Sequence, residues 1–328
     1  MSGRLIVAIC DNTFAPVDVE RAIFAEIGAD VRFGHALTED AVIELASGAS
    51  AILCDAAPIS RRVMAALPTL RVVSEYGIGY DNIDATAATE FGIWVTNVPG
   101  FCTEEVADHA LAMVLALLRR LPALDRLTRA GKWGAGSAGP IHRVSQHTLG
   151  VVGFGRIGQL VARRARALGM RVLAYSPTTA ARDAAVIGAE AVTFDRLLAE
   201  SDVVSLHAPA NDATRRMMNA ATFACMKRGA ILINVGRGVL VDERALLDAL
   251  ASGQIRAAGL DVFDPEPPLT DSPLIGHEDI LLTPHAAFYS EESLRDLQTN
   301  AARNALAVLR GERPPTPVNP DVASRLRA

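Results

Sequence analysis

Short apolar runs alternate with stretches of helical periodicity along the whole chain. The runs at 5–10, 31–33, 51–54, 71–74 and 93–96 read as strands. Between them, segments such as 19–27 and 41–46 carry apolar residues at helical spacing. Gly28 and Gly92 stand where a helix should stop and a strand begin, and Thr38 is a fitting N-cap for the second helix. The segment 103–119 predicts one long helix with Val106, Ala110, Met113, Val114 and Leu117 recurring along it. Glu104 and Glu105 in its first turn, and Arg119 and Arg120 in its last, suit the helix dipole; Pro122 ends or bends it. A second series of strands follows at 149–152, 171–174, 203–206, 230–234, 257–260 and 280–282. Its helices fall at 159–168, 195–199 and 243–251, and a last helix covers 291–310. Strands and helices in such alternation predict an α/β fold of two doubly wound parallel sheets. The stretch 131–139, with Gly131, Gly134, Gly136 and Gly139, predicts an exposed arm and a candidate contact for a second subunit.

Composition narrows the partners. A length of 328 residues suggests about two domains. Half the residues are hydrophobic, enough for large cores. The net charge of −5 gives no electrostatic footprint for nucleic acid or an anionic membrane. A small anionic substrate then needs local positive groups. Cys10, Cys54, Cys102 and Cys225 lack metal-ligand spacing, so neither a disulfide framework nor a metal site is expected. The apolar part of the long helix is interrupted by Asp108 and His109 and is too short to span a bilayer. With no signal-peptide layout at the N-terminus, a cytoplasmic protein is expected.

The most informative local pattern is Gly153-Phe154-Gly155-Arg156-Ile157-Gly158. An apolar strand pattern precedes it and a helical pattern follows. Gly153 permits the tight turn, Gly155 lets the backbone approach a pyrophosphate, and Gly158 lets helix and strand pack closely. The helix start then offers unpaired N–H groups to the phosphates. An NAD-binding unit usually ends its second strand with a carboxylate for the ribose hydroxyls. Ser176 stands there instead. Ser176, Thr178 and Thr179 can donate to a 2′-phosphate, with Arg182 as a possible added charge. NAD or NADP is therefore the expected cofactor, with NADP slightly favoured. Because this unit follows a long first unit, the expected domains are 1–98 with 288–328 for substrate and 99–287 for the dinucleotide.

Hydride transfer to a 2-keto acid needs a cation for the carboxylate and carbonyl, and an acid for the developing alkoxide. Histidine beside a carboxylate suits that acid at neutral pH. Three successive strand ends supply such groups: Arg237 in NVGRG, Glu266 in LDVFDPEP and His285 in TPHAAFYS. Ligands of open α/β sheets bind at such ends.

These motifs, with YGIGYDNID, NVP, EEVADHA, GFGRIG and VSLHAP in this order, resemble the D-isomer-specific 2-hydroxyacid dehydrogenase family over nearly the whole length. The resemblance implies two Rossmann-like domains, the substrate domain flavodoxin-like and split in sequence. It implies that Arg237 binds the substrate carboxylate and carbonyl. His285 becomes the general acid or base and Glu266 its partner. It places Asp261 on the nicotinamide carboxamide, Val235 and Gly236 along the nicotinamide, and the stretch with Ala208, Pro209 and Thr214 at the cofactor's border. His207 is expected to line the cofactor or to be structural, and Cys102 to be a cofactor contact or, more simply, a buried thiol. Gly77, Ile78 and Gly79 would receive the substrate carboxylate, with Tyr76 and Phe288 as pocket walls. Glu75 would repel diacids if it faced the pocket. His109 is expected to pack or hydrogen-bond. The chain looks closer to corepressor-like relatives than to formate or long phosphoglycerate dehydrogenases. The implied activity is NAD(P)-dependent interconversion of a 2-keto acid, such as glyoxylate, hydroxypyruvate or a larger one, and a D-2-hydroxy acid. The alternative is an NAD(P)H-sensing binding protein with little turnover. A homodimer is expected in either case.

Overall fold

The computed structural model describes residues 5–12, 16–177 and 181–325. The chain divides into two compact units, Met1–Phe101 with Ser290–Ala328, and Cys102–Tyr289. In the first unit lie strands β1 (Ile6–Ile9), β2 (Asp30–Phe33), β3 (Ala51–Cys54), β4 (Val72–Glu75) and β5 (Trp94–Thr96). They form one sheet in the order β2-β1-β3-β4-β5, every pair parallel. Helices α1 (Asp18–Ala25), α2 (Glu39–Leu45), α3 (Arg61–Ala66) and α4 (Ala85–Glu90) connect them.

Successive strand residues bury on opposite faces, as the two-residue period of a strand requires. Val7, Ile9, Leu53 and Val72 pack with α1 and with the C-terminal helix, Glu291–Leu309. Ala8, Ile52, Cys54 and Val73 pack on the other side with Val42, Val63 and Met64. Each large apolar side chain so buried contributes about 1.5–3 kcal/mol. Thr38 caps α2 by accepting from the Ala41 amide. Gly28 and Gly92 follow helices with φ of +63° and +69°, a region glycine enters without penalty.

The second unit opens with α5 (Thr103–Leu118) and α6 (Leu121–Arg129). Seven strands then alternate with helices: β6 (Thr148–Val152), α7 (Arg156–Ala167), β7 (Arg171–Tyr175), α8 (Ala181–Ile187), β8 (Glu190–Ala191), α9 (Phe194–Glu200) and β9 (Val203–Leu206). They continue with α10 (Ala220–Cys225), β10 (Ala230–Asn234), α11 (Glu243–Ala251), β11 (Ile255–Leu260) and β12 (Ile280–Leu282). The sheet order is β12-β11-β10-β9-β6-β7-β8, again all parallel.

Two elements depart from the sequence expectation. Pro122 does not simply end a helix: Arg120 turns left-handed (φ +54°), and the proline sits in the first turn of α6, where its missing N–H costs nothing. The edge strand β8 is too short and too polar to stand out in the sequence. Among the described residues no helix is long and apolar enough to cross a membrane.

Candidate active site

The glycine turn joins β6 to α7. Two of the glycines are required by close contacts within the protein, and the third borders free space. Gly153 has φ +91°, and a Cβ there would stand 2.5 Å from the backbone of His207 at the end of β9. A Cβ on Gly158 would stand 2.1 Å from the Gly153 carbonyl oxygen, so helix and turn touch. A Cβ on Gly155 meets nothing within 4 Å, so open space lies beside the first turn of α7. That space, at the N-terminal end of the helix, fits a pyrophosphate. Arg156 and Ile157 begin α7 itself. Ser176 directly follows β7, half-buried, and Thr178 lies outside the described residues.

His207 directly follows β9, with its Nε2 2.9 Å from the Ser205 hydroxyl and its buried Nδ1 without a hydrogen-bond partner. Burial lowers its pKa to about 4, so it stays neutral. Ala208 is buried, Pro209 is exposed, and the Thr214 hydroxyl donates to the Pro209 carbonyl at 2.6 Å, closing the loop on itself.

The three expected catalytic residues come together. Asn234, buried at the end of β10, accepts from the Gly236 amide (3.1 Å) and donates to the Arg237 carbonyl (2.9 Å). These bonds shape the turn that presents Arg237, whose Nη1 donates to the Gly236 carbonyl at 2.9 Å. Val235 is buried in this turn and Gly236 half-buried. Gly238 seats the turn: a Cβ there would collide with the Phe263 carbonyl oxygen at 1.8 Å. Beyond β11, Glu266 accepts the Phe263 amide on Oε1 (2.8 Å) and meets His285 Nδ1 on Oε2 (2.7 Å). The His285 side chain remains 44% exposed.

The charges oppose one another in the way an acid–base pair needs. The hydrogen bond that His285 Nδ1 donates to Glu266 raises the His285 pKa; burial and the Arg237 charge pull it down, and the rise prevails. Burial pushes Glu266 up, but the hydrogen bond and charge of His285, the Phe263 amide and Arg237 bring it below the ordinary carboxylate value. Arg237 acts electrostatically on both partners and on Cys102.

Four other residues stand as follows. Asp261 braces the turn that carries His285. It is fully buried at the end of β11 and accepts from Thr283, Ala286 and Ala287. Cys102 is a buried thiol at the start of α5, its pKa pushed by burial to about 12. Tyr76 is no pocket wall: it is 2% exposed in the core of the first unit, and its hydroxyl donates to Glu20 at 2.6 Å. Glu75 faces neither pocket nor solvent; it is buried, accepting from Asn82 Nδ2 and the Cys54 thiol. In the same unit, Val98 and Asn97 donate to the carbonyls of Gly77 and Ile78. Among the described residues, no hydrogen bond uses the amides of Gly77, Ile78 or Gly79. The Phe288 ring meets the His285 ring edge-on, centroids 6.2 Å apart.

A dinucleotide turn and a carboxylate-backed histidine beside an arginine in one unit define a nicotinamide-dependent oxidoreductase. Residues 111–287 match the family model of the D-isomer specific 2-hydroxyacid dehydrogenase, NAD binding domain. The chain is 45% identical over 268 residues to the glyoxylate reductase of Korarchaeum cryptofilum, covering 81% of each chain. It is 42% identical over 250 residues to D-3-phosphoglycerate dehydrogenase 3 of Arabidopsis thaliana, covering 76% of this chain and 42% of that one. Its fold matches the crystal structure of a glyoxylate reductase from Paecilomyes thermophila at a TM-score of 0.87 and 29% identity, covering 96% and 98% of the two chains. The chain belongs to the D-isomer specific 2-hydroxyacid dehydrogenase family. It is an NAD(P)-dependent enzyme that transfers a hydride between its nicotinamide cofactor and a 2-keto or 2-hydroxy acid. These relatives lend no support to the corepressor-like subgroup, and phosphoglycerate dehydrogenases resemble the chain more than the motifs alone suggest.

Proposed function

We propose that this enzyme reduces a small 2-keto acid to the D-2-hydroxy acid, with Arg237, Glu266 and His285 as its catalytic set. The observation that carries the reading is the 2.7 Å contact of His285 Nδ1 with Glu266, beside Arg237. When bound, the nicotinamide cofactor supplies the hydride. Arg237 holds the substrate carboxylate and polarises the carbonyl, which stabilises the charge that develops on oxygen. His285 keeps one proton on Nδ1 for Glu266 and delivers the other from Nε2 to the alkoxide oxygen. Glu266 stabilises the imidazolium before that transfer. In the oxidative direction His285 takes the proton back.

Glyoxylate, named for several relatives, and hydroxypyruvate head the substrate class. Phe288 beside His285 extends it to larger apolar side chains such as that of phenylpyruvate. The amides of Gly77, Ile78 and Gly79 are assigned to the substrate carboxylate. NADPH is the preferred cofactor, because Ser176 replaces the carboxylate that would repel a 2′-phosphate. The first unit is the substrate domain and the second the dinucleotide domain. A homodimer is proposed through the arm at 131–139, where Trp133 is 91% exposed. Cytoplasmic location remains the expectation from the sequence.

Nicotinamide absorbance with glyoxylate, hydroxypyruvate and phenylpyruvate tests this reading. Turnover with at least one, and a lower KM for NADPH than for NADH, is expected. Tight cofactor binding without turnover of any keto acid contradicts it and favours a sensor. A hundredfold preference for NADH removes the cofactor assignment alone.

A further inference from the structure

The His285 turn is held from an unexpected direction. His285 itself is left-handed, with φ +52°. A non-glycine residue rarely adopts that region, so the surroundings must fix it. The fixing bonds converge on Asp261. Its carbonyl accepts the His285 amide at 2.7 Å. Its carboxylate accepts the amides of Ala286 and Ala287, each at 2.9 Å, and the Thr283 hydroxyl at 2.5 Å. Thr283 has only one hydroxyl proton, and Asp261 receives it. The Thr283 oxygen therefore accepts at its other contact, His109 Nε2 at 3.0 Å. That assigns the proton of His109 to Nε2, which also lies 3.8 Å from Asp261 Oδ1.

We propose that His109 is a positioning residue for proton transfer, acting on His285 through Thr283 and Asp261. The proposal rests on the reading of His285 as the acid. His109 projects from α5, whose apolar positions are buried along most of its length, so its imidazole is fixed to a rigid element. Thr283 and Asp261 directly follow the neighbouring strands β12 and β11. The chain His109–Thr283–Asp261 thus ties one helix to both strand ends that deliver the acid. The charged groups that act on His285 are Glu266, Arg237 and Asp261, and Asp261 is also the acidic group near His109. Asp108 is paired with Arg164 of α7 at 2.7 Å.

Three variants test the chain, with His285→Ala as reference. His109→Leu removes the donor, Thr283→Val removes the hydroxyl at nearly constant shape, and His109→Gln keeps a donor. In His109→Leu and Thr283→Val, kcat for keto-acid reduction is expected to fall about 10-fold, as for a lost supporting hydrogen bond. KM for the cofactor stays within about 2-fold, because the glycine turn is untouched. The double variant should fall no further than either single one, since both break one chain. His109→Gln should recover most of the rate. In the protein without substrate, NMR titration of the His285 ring should move to lower pH in the first two variants, because a loosened turn weakens its bond to Glu266. Unchanged kcat and unchanged titration in Thr283→Val, with His285→Ala inactive, overturn the proposal while leaving His285 as the acid. Normal turnover by His285→Ala overturns the functional reading itself. Should His109→Leu fail to fold, Thr283→Val and His109→Gln still decide.

Discussion

In the first sheet the strand order reverses between β1 and β3; in the second it reverses between β6 and β9. Such reversals open a crevice outside the carboxyl ends of the strands, where α/β proteins bind ligands. The two crevices are treated oppositely. After β1, the buried Asp11 carboxylate accepts the amides of Asp55, Ala56 and Ala57, at 2.9, 2.6 and 3.2 Å. Asn82 then donates to the Asp55 and Ala57 carbonyls. The protein's own carboxylate occupies the amides that an anion would seek. After β6, glycines stand in place of side chains, and Gly155 borders open space. Topology creates both crevices; after β1 a carboxylate takes up loop amides, whereas after β6 a glycine leaves space beside the helix start.

The glutamates repeat the contrast. Burial drives Glu75 well above the ordinary carboxylate range, against the hydrogen bonds of Asn82 and Cys54. Glu266, partly exposed and facing His285, ends below it. Burial pushes one carboxyl toward its neutral form within a core, while the other is held toward its charged form against a proton donor.

The largest effect that could break this comparison is at the open crevice. Gly155→Val should leave the melting temperature unchanged, because its Cβ meets no protein atom. It should weaken cofactor binding about 100-fold or more by excluding the phosphates from the amides. Calorimetric titration checks this, and undiminished binding would place the dinucleotide elsewhere. Next comes the closed crevice. Asp11→Ala removes the acceptor of three amides, of which only that of Ala57 lies in a buried residue, and should cost about 1–3 kcal/mol, read from denaturant unfolding. A neutral result would mean that water replaces the carboxylate.

A smaller effect separates the glutamates. The folded pKa of Glu75 lies above its unfolded value, so the native protein is most stable below the unfolded value. It loses stability as pH rises toward the folded value. Glu75→Gln removes that titration. The variant should gain in melting temperature relative to the native chain as pH rises above the ordinary glutamate range, and a constant difference across pH contradicts burial as the cause.

The strands were legible because continuous apolar runs bounded by turn residues leave few alternatives. The glycine turn was legible because its sterics are local, and Arg237, Glu266 and His285 because each follows such a strand. Asp261 and Tyr76 were not. An aspartate after a strand can face a ligand or the next turn, and only the path of residues 283–287 decides that Asp261 serves the turn. Tyr76 lies one residue before the partly exposed Gly77–Gly79 turn, yet its hydroxyl reaches Glu20, the carboxylate to which Gln298 of the C-terminal helix also donates. Asn234 and Gly238 left a usable signal: an asparagine at a strand end and a glycine beside the arginine mark a shaped, tightly seated turn.

The central claim is that Glu266 tunes His285 as the acid of the reaction. In keto-acid reduction, kcat/KM should be high while His285 is protonated and fall as pH rises through its raised pKa. The pH profile of the native enzyme against Glu266→Gln tests this most directly. The account predicts that the falling limb moves to lower pH in the variant, toward the ordinary histidine value, with a reduced plateau. Superimposable limbs in the two proteins would contradict it.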